Sequence, residues 1–470
     1  MDRSPSAPRV DVDPVAVELG ERFQTAGFEL YLVGGAVRDV LAGRAPHHEF
    51  DFATDATPEQ TINVIHGWAD RKYLQGIRWG TVGAIRGRTR LEITTFRKEV
   101  YRADDRHPHV TFATEIEVDL SRRDFTVNAM AVRLPEGEFV DPFGGVKDLA
   151  SRRLDTPLDP DVSFGDDPLR MLRAARFAAT LDLSPAPRVV EAMSRMADRL
   201  DIVSAERIRD EVSKLLLAED PTPGLELVVE TGLADRFLPE LSALRLEQDP
   251  VHRHKDVLRH TFAVVARCRP PDDLRLRLAA LLHDIGKPAT RQFTPEGVQF
   301  HSHEIVGARM AEQRLRALRY PNEVIRDVVK LIEMHLRFHT FRMGWSDSAL
   351  RRYIRDAGDL LDRLNHLVRA DCTTQNPRKA KELAALQDDL ELRIARLTAE
   401  ENVRAIRPPL DGREVMDHLG LRPGPIVGEA LRYLLEERME RGPIPKDEAY
   451  GLLDEWARRQ DVSPRRPSSP

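Results

Sequence analysis

Glu49 and Asp51 stand two residues apart in EFDFATDATPEQ (Glu49 to Gln60), and on an extended strand residues at that spacing project from the same face. Holding two carboxylates side by side is costly unless a cation sits between them, and Mg²⁺ takes one or two carboxylates together with substrate phosphates. Glu92, between Leu91 and Ile93, points opposite to both and supplies a third acid for the same cleft. In LVGGAVRD (Leu32 to Asp39), Gly34 and Gly35 fall where a strand gives way to a helix carrying Arg38. Backbone N–H groups at such a turn can approach a polyphosphate, and the helix N-terminus adds partial positive charge. Two-metal chemistry on such acids would activate a 3′-hydroxyl and stabilise a leaving pyrophosphate, which describes nucleotidyl transfer.

Two further segments extend this relay. RRDFTVNAMA (Arg122 to Ala131) brings Arg122, Arg123, Asp124 and Asn128 to the start of an apolar run. An arginine suits a triphosphate and an asparagine suits a ribose hydroxyl, while helix capping by Asp124 is the structural alternative. DDPLRMLRAARF (Asp166 to Phe177) holds Asp167 and Arg170, three apart on an expected helix and so on a shared face, with Arg173 and Arg176 one turn and two turns further on.

Nine of the fifteen histidines lie between His252 and His366, which concentrates them in the second half of the chain. His283 and Asp284 adjoin in LAALLHDIGKPA, at the end of an apolar helix where a buried His-Asp pair needs a partner. His260 precedes them on one helix and Asp371 follows on another. His303 and His335 are placed to complete a second metal site. Imidazole with carboxylate suits Mn²⁺, Fe²⁺, Ni²⁺ or Zn²⁺ better than Mg²⁺ alone. His252, His254, His301 and His339 stay unassigned.

These residues need elements to hold them. Short aliphatic or β-branched runs at Leu30 to Val33, Glu49 to Ala53, Thr81 to Ile85, Leu91 to Phe96 and Ala129 to Leu134 predict strands of one sheet. Helices are predicted at Ala36 to Leu41 and Pro58 to Trp68. Beyond about Asp148 amphipathic helical patterns take over: Pro168 to Leu181, Pro187 to Leu200, Ala205 to Leu217, Asp256 to Arg267, Asp273 to Asp284, Glu304 to Leu318, Asn322 to Met334 and Arg378 to Leu397. The expected class is α+β: a small mixed-sheet head at 15–150, an all-α neck at 151–245, a histidine-bearing helical domain at 246–375 and a helical tail at 376–460. The ends, 1–14 and 461–470, are expected to be disordered.

The 470 residues carry 71 Lys+Arg against 77 Asp+Glu, a net charge of −6 that argues weakly against nucleic acid and leaves local arrangement to decide. Two cysteines, Cys268 and Cys372, give no disulfide framework or thiolate zinc site. No apolar run approaches the roughly 18–20 residues of a membrane span. A cytoplasmic protein with no membrane partner is expected.

From Leu32 to about Leu217, and in DPFGGVKDL (Asp141 to Leu149), the chain resembles class II tRNA nucleotidyltransferases, the CCA-adding enzymes of the polymerase-β-like superfamily, together with bacterial poly(A) polymerases. The resemblance implies that Glu49 and Asp51 bind catalytic Mg²⁺, although the family's first acid is an aspartate. It also implies that Asp166, Asp167 and Arg170 match the base-reading acid-Asp-x-x-Arg motif. Cytosine and adenine each present an amino donor beside an unprotonated ring nitrogen. A carboxylate accepts from the first and a guanidinium donates to the second, whereas guanine and uracil reverse the order. The segment Arg97 to Asp119, with Tyr101, Arg102, Arg106 and Pro108, resembles the family's flexible loop.

The series His260, His283-Asp284, Asp371 resembles the HD phosphohydrolases. Pro408 to Leu431, with Gly420, Gly424 and Gly428, resembles the tail of the tRNA enzymes. CCA addition to tRNA from CTP and ATP is the expected function, with a homodimer among the assemblies it allows. Poly(A) synthesis, partial CC or A addition, and an HD phosphohydrolase with a tRNA-binding head are the competing expectations.

Overall fold

The computed structural model describes every residue outside 1–9, 45–47, 101–108, 113–114, 247–255, 296, 342–343, 375, 402–406 and 463–470. Tyr101, Arg102, Arg106, Pro108, His252 and His254 lie outside the described residues, as do most of both expected disordered ends. The chain divides into two compact units, Met1–Ser242 and Ala243–Pro470.

The first unit is built on strands β1 (Leu30–Val33), β2 (Glu49–Thr54), β3 (Arg71–Tyr73), β4 (Thr81–Arg86), β5 (Thr89–Thr95), a separate hairpin β6 (Arg97–Val100) with β7 (His109–Phe112), then β8 (Ala131–Leu134) and β9 (Glu138–Val140). Seven of them form one sheet in the order β3-β4-β5-β2-β1-β8-β9. The β2–β5 pair is parallel and its neighbours are antiparallel, which makes the sheet mixed as expected.

Strand alternation sorts the residues. On one face Leu32, Phe50, Phe52, Val82, Leu91, Ile93 and Val132 form a core with Leu19 and Phe23 of the helix Pro14–Thr25. The helix Pro58–Val64 packs on the same side and is stopped short of the predicted Trp68. Its start is fixed by a capping box, in which Thr57 accepts from Gln60 N and Gln60 accepts from Thr57 N. On the other face a smaller core of Tyr31, Val33, Ala53, Phe96, Ile116, Leu120 and Ala131 covers the β1–β8 end, and the acids lie beside it. Burying a side chain of this size is worth about 1.5–3 kcal/mol each, so strand register is firmly set by the two cores.

Helices follow. Leu169–Thr180 packs against Ala205–Leu216 and Thr222–Glu230. In the second unit, helices Val257–Arg267, Leu274–Leu282, His303–Ala317, Asn322–Met334 and Leu361–Asp371 surround the histidines. A further core of Leu410, Val415, Leu434, Leu453 and Trp456 holds the last three helices together. Among the described residues no helix is long and apolar enough to cross a membrane.

Candidate functional site

In the first unit a cleft of about 300 Å³ is lined by Asp51, Phe52, Thr94, Arg97, Arg122, Arg123, Asp124, Asp167, Leu169, Arg170, Arg173 and Arg207. Its acidic floor comes from register. Asp51 on β2 pairs with Glu92 on β5, and Glu49 pairs with Arg90 two residues earlier, so the three acids share one face. Glu49 and Glu92 flank the cleft without lining it, and Arg90 lies 3.6 Å from Glu92. Desolvation pushes the Asp51 carboxyl up, Arg123 pulls it down and Glu49 pushes it up again. A carboxylate that is reached by solvent, yet costs energy to ionise beside a second acid, fits a divalent cation.

The turn after β1 brings cations to this floor. Gly34 has φ 74° and ψ −137°, where glycine alone is at ease, and a Cβ there would come 3.1 Å from Arg123 Nη1 and 3.8 Å from Asp51 Oδ2. Gly35 opens the helix Gly35–Leu41. Arg38 on that helix is paired with Asp39 at 2.9 Å and donates to Asn128 Oδ1 at 2.6 Å. Arg123 donates to Asp119 at 3.1 Å, and its Nε is buried with no partner among the described residues, which suits an anion in the cleft.

Asp124 is an anchor. It accepts from Phe125 N and Asn128 Nδ2, each at 2.9 Å, and from Arg173 Nε at 2.8 Å. Burial pushes its carboxyl up, but Arg173 and Asn128 outweigh that and hold it at about 2. Asn128 is therefore bonded at both ends of its amide, to Arg38 and Asp124.

Asp167 and Arg170 meet at the cleft by a different route from the one predicted. The helix begins at Leu169, and Asp167 precedes it in extended backbone with φ −141°, accepting from Leu169 N at 3.2 Å and from Arg207 at 2.8 Å. The cause is Pro168, since the residue before a proline is pushed away from helical geometry. Arg170, in the first turn, is oriented by Ser163 Oγ at 2.9 Å and by the Arg122 carbonyl. Arg176 turns elsewhere: it pairs with Glu211 at 2.7 Å, lies over the Phe177 ring and is not among the cleft's lining residues.

In the second unit the structure brings all six predicted ligands together. His260, His283 and Asp371 offer ligand atoms within 4.8 Å of one another, and so do Asp284, His303 and His335. His260 Nε2 is 2.9 Å from Asp371, His283 Nε2 is 3.2 Å from Asp284, and His303 Nε2 is 3.4 Å from the other Asp284 oxygen. Three of the rings donate Nδ1–H to backbone carbonyls: His283 to Ala280, His303 to Phe300 and His335 to Ile332. In the neutral rings that fixes the tautomer and turns an unprotonated Nε2 inward, as metal-binding histidines require. The Nε2 atoms of His283 and His303 are buried without hydrogen-bond geometry to any described residue.

The charges agree. Burial pushes Asp284 up, yet His283 and Lys287 hold it well below the usual carboxylate range. Burial pulls His283 down, but Asp284 and Asp371 raise it to about 10, while burial and His283 push His335 down to about 3. Two carboxylates, Asp284 buried and Asp371 half-buried, that draw a proton onto a neighbouring imidazole fit a cation among them. Gly286 lets the turn after Asp284 close against the His303 helix, because a Cβ there would lie 2.2 Å from the His303 carbonyl oxygen.

Comparison with known proteins decides the family. Residues 30–155 match the Poly A polymerase head domain, 182–244 the probable RNA and SrmB-binding site of polymerase A, and 257–398 the HD domain. The chain is 34% identical over 440 residues to an A-adding tRNA nucleotidyltransferase of Deinococcus radiodurans, covering 91% of this chain and 95% of that one. It is 35% identical over 441 residues to a CC-adding tRNA nucleotidyltransferase of Thermus thermophilus, with 91% and 94% covered. The chain belongs to the tRNA nucleotidyltransferase family.

A CCA-adding enzyme of Lactococcus lactis is 31% identical over 95% of both chains. The structure of a Bacillus stearothermophilus CCA-adding enzyme in complex with CTP superposes with a TM-score of 0.71 at 26% identity, covering 96% of this chain and 99% of that one. The chain is an enzyme of the nucleotidyltransferase type with an HD domain, and both families are metal-dependent. Sequence reasoning missed Asp119, which is buried and binds Arg122 at 2.8 Å and Arg123 at 3.1 Å, and Arg207 and Ser163, which hold Asp167 and Arg170. The i, i+3 and i, i+4 spacing of Asp119 to the two arginines was the available signal.

Proposed function

We propose that the chain adds CCA to the 3′ end of tRNA, taking CTP and ATP and releasing pyrophosphate. The observation that carries this reading is one cleft with the catalytic carboxylate Asp51 and the pair Asp167 and Arg170 in its lining. Asp167 keeps lone pairs for an amino donor, and Arg170, locked by Ser163 and Arg122, presents a guanidinium to a ring nitrogen. Arg123 and the turn at Gly34 and Gly35 hold the triphosphate, and Arg173 secures Asp124 and through it Asn128. Mg²⁺, held by Glu49 and Asp51, would supply charge neutralisation at the triphosphate and lower the pKa of the attacking 3′-hydroxyl. Glu92 lies beside Asp51 on the far side from the triphosphate turn and orients that hydroxyl.

In the second unit, His260, His283, Asp284 and Asp371, with His303 and His335, would hold Mn²⁺, Ni²⁺ or Fe²⁺ for hydrolysis of phosphate esters. A cytoplasmic location accords with a tRNA substrate.

Equilibrium binding of the four ribonucleoside triphosphates tests the base reading. CTP and ATP should bind at least about tenfold more tightly than GTP and UTP, because the latter leave buried groups unpaired. Equal affinities would overturn it. The second reading is partial addition, favoured by the A-adding and CC-adding names of two relatives that match over nearly their whole length.

A further inference from the structure

The determinants for triphosphate and base lie on one side of Asp51. Gly34, at the end of β1, lies beside Arg123, which lines the same cleft as Asp124, Asp167, Arg170 and Arg173. The sheet order β5-β2-β1 puts Glu92 on the opposite side. In an in-line displacement the attacking oxygen and the leaving group stand on opposite sides of the phosphorus. An RNA 3′-hydroxyl therefore has to approach from β5, β4 and β3.

Register shows what lines that approach. One row across the acid-bearing face runs Arg71, Ile85, Arg90, Glu49, and the next runs Tyr73, Gly83, Glu92, Asp51. Tyr73 lies across Gly83, where a Cβ would come within 1.9 Å of the ring. The Arg90 guanidinium stands 5.0 Å from the Tyr73 ring centroid and its Nε donates to the hydroxyl at 2.9 Å. The following row pairs Thr81 with Thr94, hydroxyls 3.0 Å apart, and Thr94 lines the cleft. Just before it comes the 3₁₀ turn Ile77–Trp79, where the Arg78 guanidinium is 3.7 Å from the Trp79 ring centroid. Arg97, also in the cleft lining, donates to the Trp79 carbonyl at 2.5 Å and so ties this turn to the cleft.

Trp79 is 37% exposed, and Arg71, Arg78 and Arg90 are all exposed. Cations on an edge strand such as β3 deter sheet-to-sheet pairing, but deterrence needs no exposed indole with a guanidinium stacked on it. Guanidinium groups interleaved with aromatic rings beside a catalytic carboxylate match what an unpaired RNA strand offers: faces for stacking and phosphates for cations.

We propose that the β3–β4 edge of the head, with Trp79 as stacking platform and Arg71, Arg78 and Arg90 as phosphate contacts, seats the last unpaired nucleotide of the RNA primer. This seating delivers the 3′-hydroxyl to Glu92, and it rests on the nucleotidyl-transfer reading of the cleft.

The test is fluorescence anisotropy of the full chain binding two labelled tRNAs that lack the CCA end. One is intact at its last position and the other carries an abasic ribose there. Loss of the base should weaken binding to the unaltered protein roughly tenfold. Trp79→Ala should weaken binding of the intact RNA by a similar factor and be indifferent to the missing base, while Trp79→Phe retains the distinction. Equal weakening of both RNAs by Trp79→Ala, or no weakening of either, overturns the proposal. Binding is read without turnover, so a chain that shows this pattern yet adds no nucleotide would contradict the function proposed above and leave the primer seat standing.

Discussion

Asp51 bears the electrostatic cost of the head, since burial and Glu49 oppose its ionisation and outweigh Arg123 and Arg173, which favour it. Replacing it by Asn should lower the rate of addition at least about 100-fold, because several kcal/mol of charge stabilisation are lost. Rapid-quench single turnover would show it, and a loss under threefold would remove Asp51 from the chemistry. Glu49→Asp, which restores the acid usual in the family, should keep the rate within about tenfold by the same measurement, whereas Glu49→Gln should not.

Asp124 offers a pH test. Its carboxyl sits at about 2 in the fold against an ordinary 3.8, so it is a depressed acid. Such a group contributes stability above its unfolded pKa and loses that contribution as pH falls from about 4 towards 2. The difference in unfolding free energy between the unaltered chain and Asp124→Asn should shrink by about 2 kcal/mol across that window. A flat difference in urea titrations would mean that the Arg173 pair does not stabilise the fold.

At the level of elements, the strands carrying chemistry were legible because their period-2 patterns are bounded by turns. β1 falls where predicted, at Leu30–Val33, and β2 and β4 end one residue later than expected. What was not legible has physical causes. β3 and β9 have three residues each, too few to show alternation, and they are stabilised by pairing with β4 and β8. The predicted helix over Pro187 to Leu200 breaks into Pro187–Arg195 and a 3₁₀ segment, Ala197–Ile202, a change that amphipathic spacing does not reveal. Asp167 leaves the helix because of Pro168, and that signal was present in the sequence. Arg176 had helical spacing that fitted the cleft, yet Glu211, distant in sequence, claims it.

The turn at Gly34 is the element most sensitive to change. Gly34→Ala forces a side chain into a conformation that costs about 1–3 kcal/mol and presses on Arg123. It should lower the melting temperature and raise KM for CTP, and an unchanged KM would take the turn out of nucleotide binding.

For the whole molecule, the carboxylate cleft lies in the first unit and the histidine cluster in the second. The histidine set was legible in order, His260, His283-Asp284, Asp371, because each ligand sits at or near a helix end, where chain direction changes and side chains converge. Adding Mn²⁺ or Ni²⁺ to chelator-treated protein should raise the unfolding temperature of the second unit, since an ion that binds only the folded state stabilises it by mass action. Asp284→Ala should abolish that shift in differential scanning calorimetry and leave nucleotide addition intact. Loss of addition together with the shift would mean that the two sites depend on each other.

The most direct measurement is extension of a radiolabelled tRNA lacking its 3′ CCA, with Mg²⁺ and each nucleotide singly and in pairs, resolved on a sequencing gel. Growth by three nucleotides that requires both CTP and ATP is the predicted result. Two additions with CTP alone and no further growth, or a single A on a tRNA already ending in CC, would replace full addition by its partial forms. A long ladder with ATP alone would mark a poly(A) polymerase, and no growth with any nucleotide would contradict nucleotidyl transfer at Asp51.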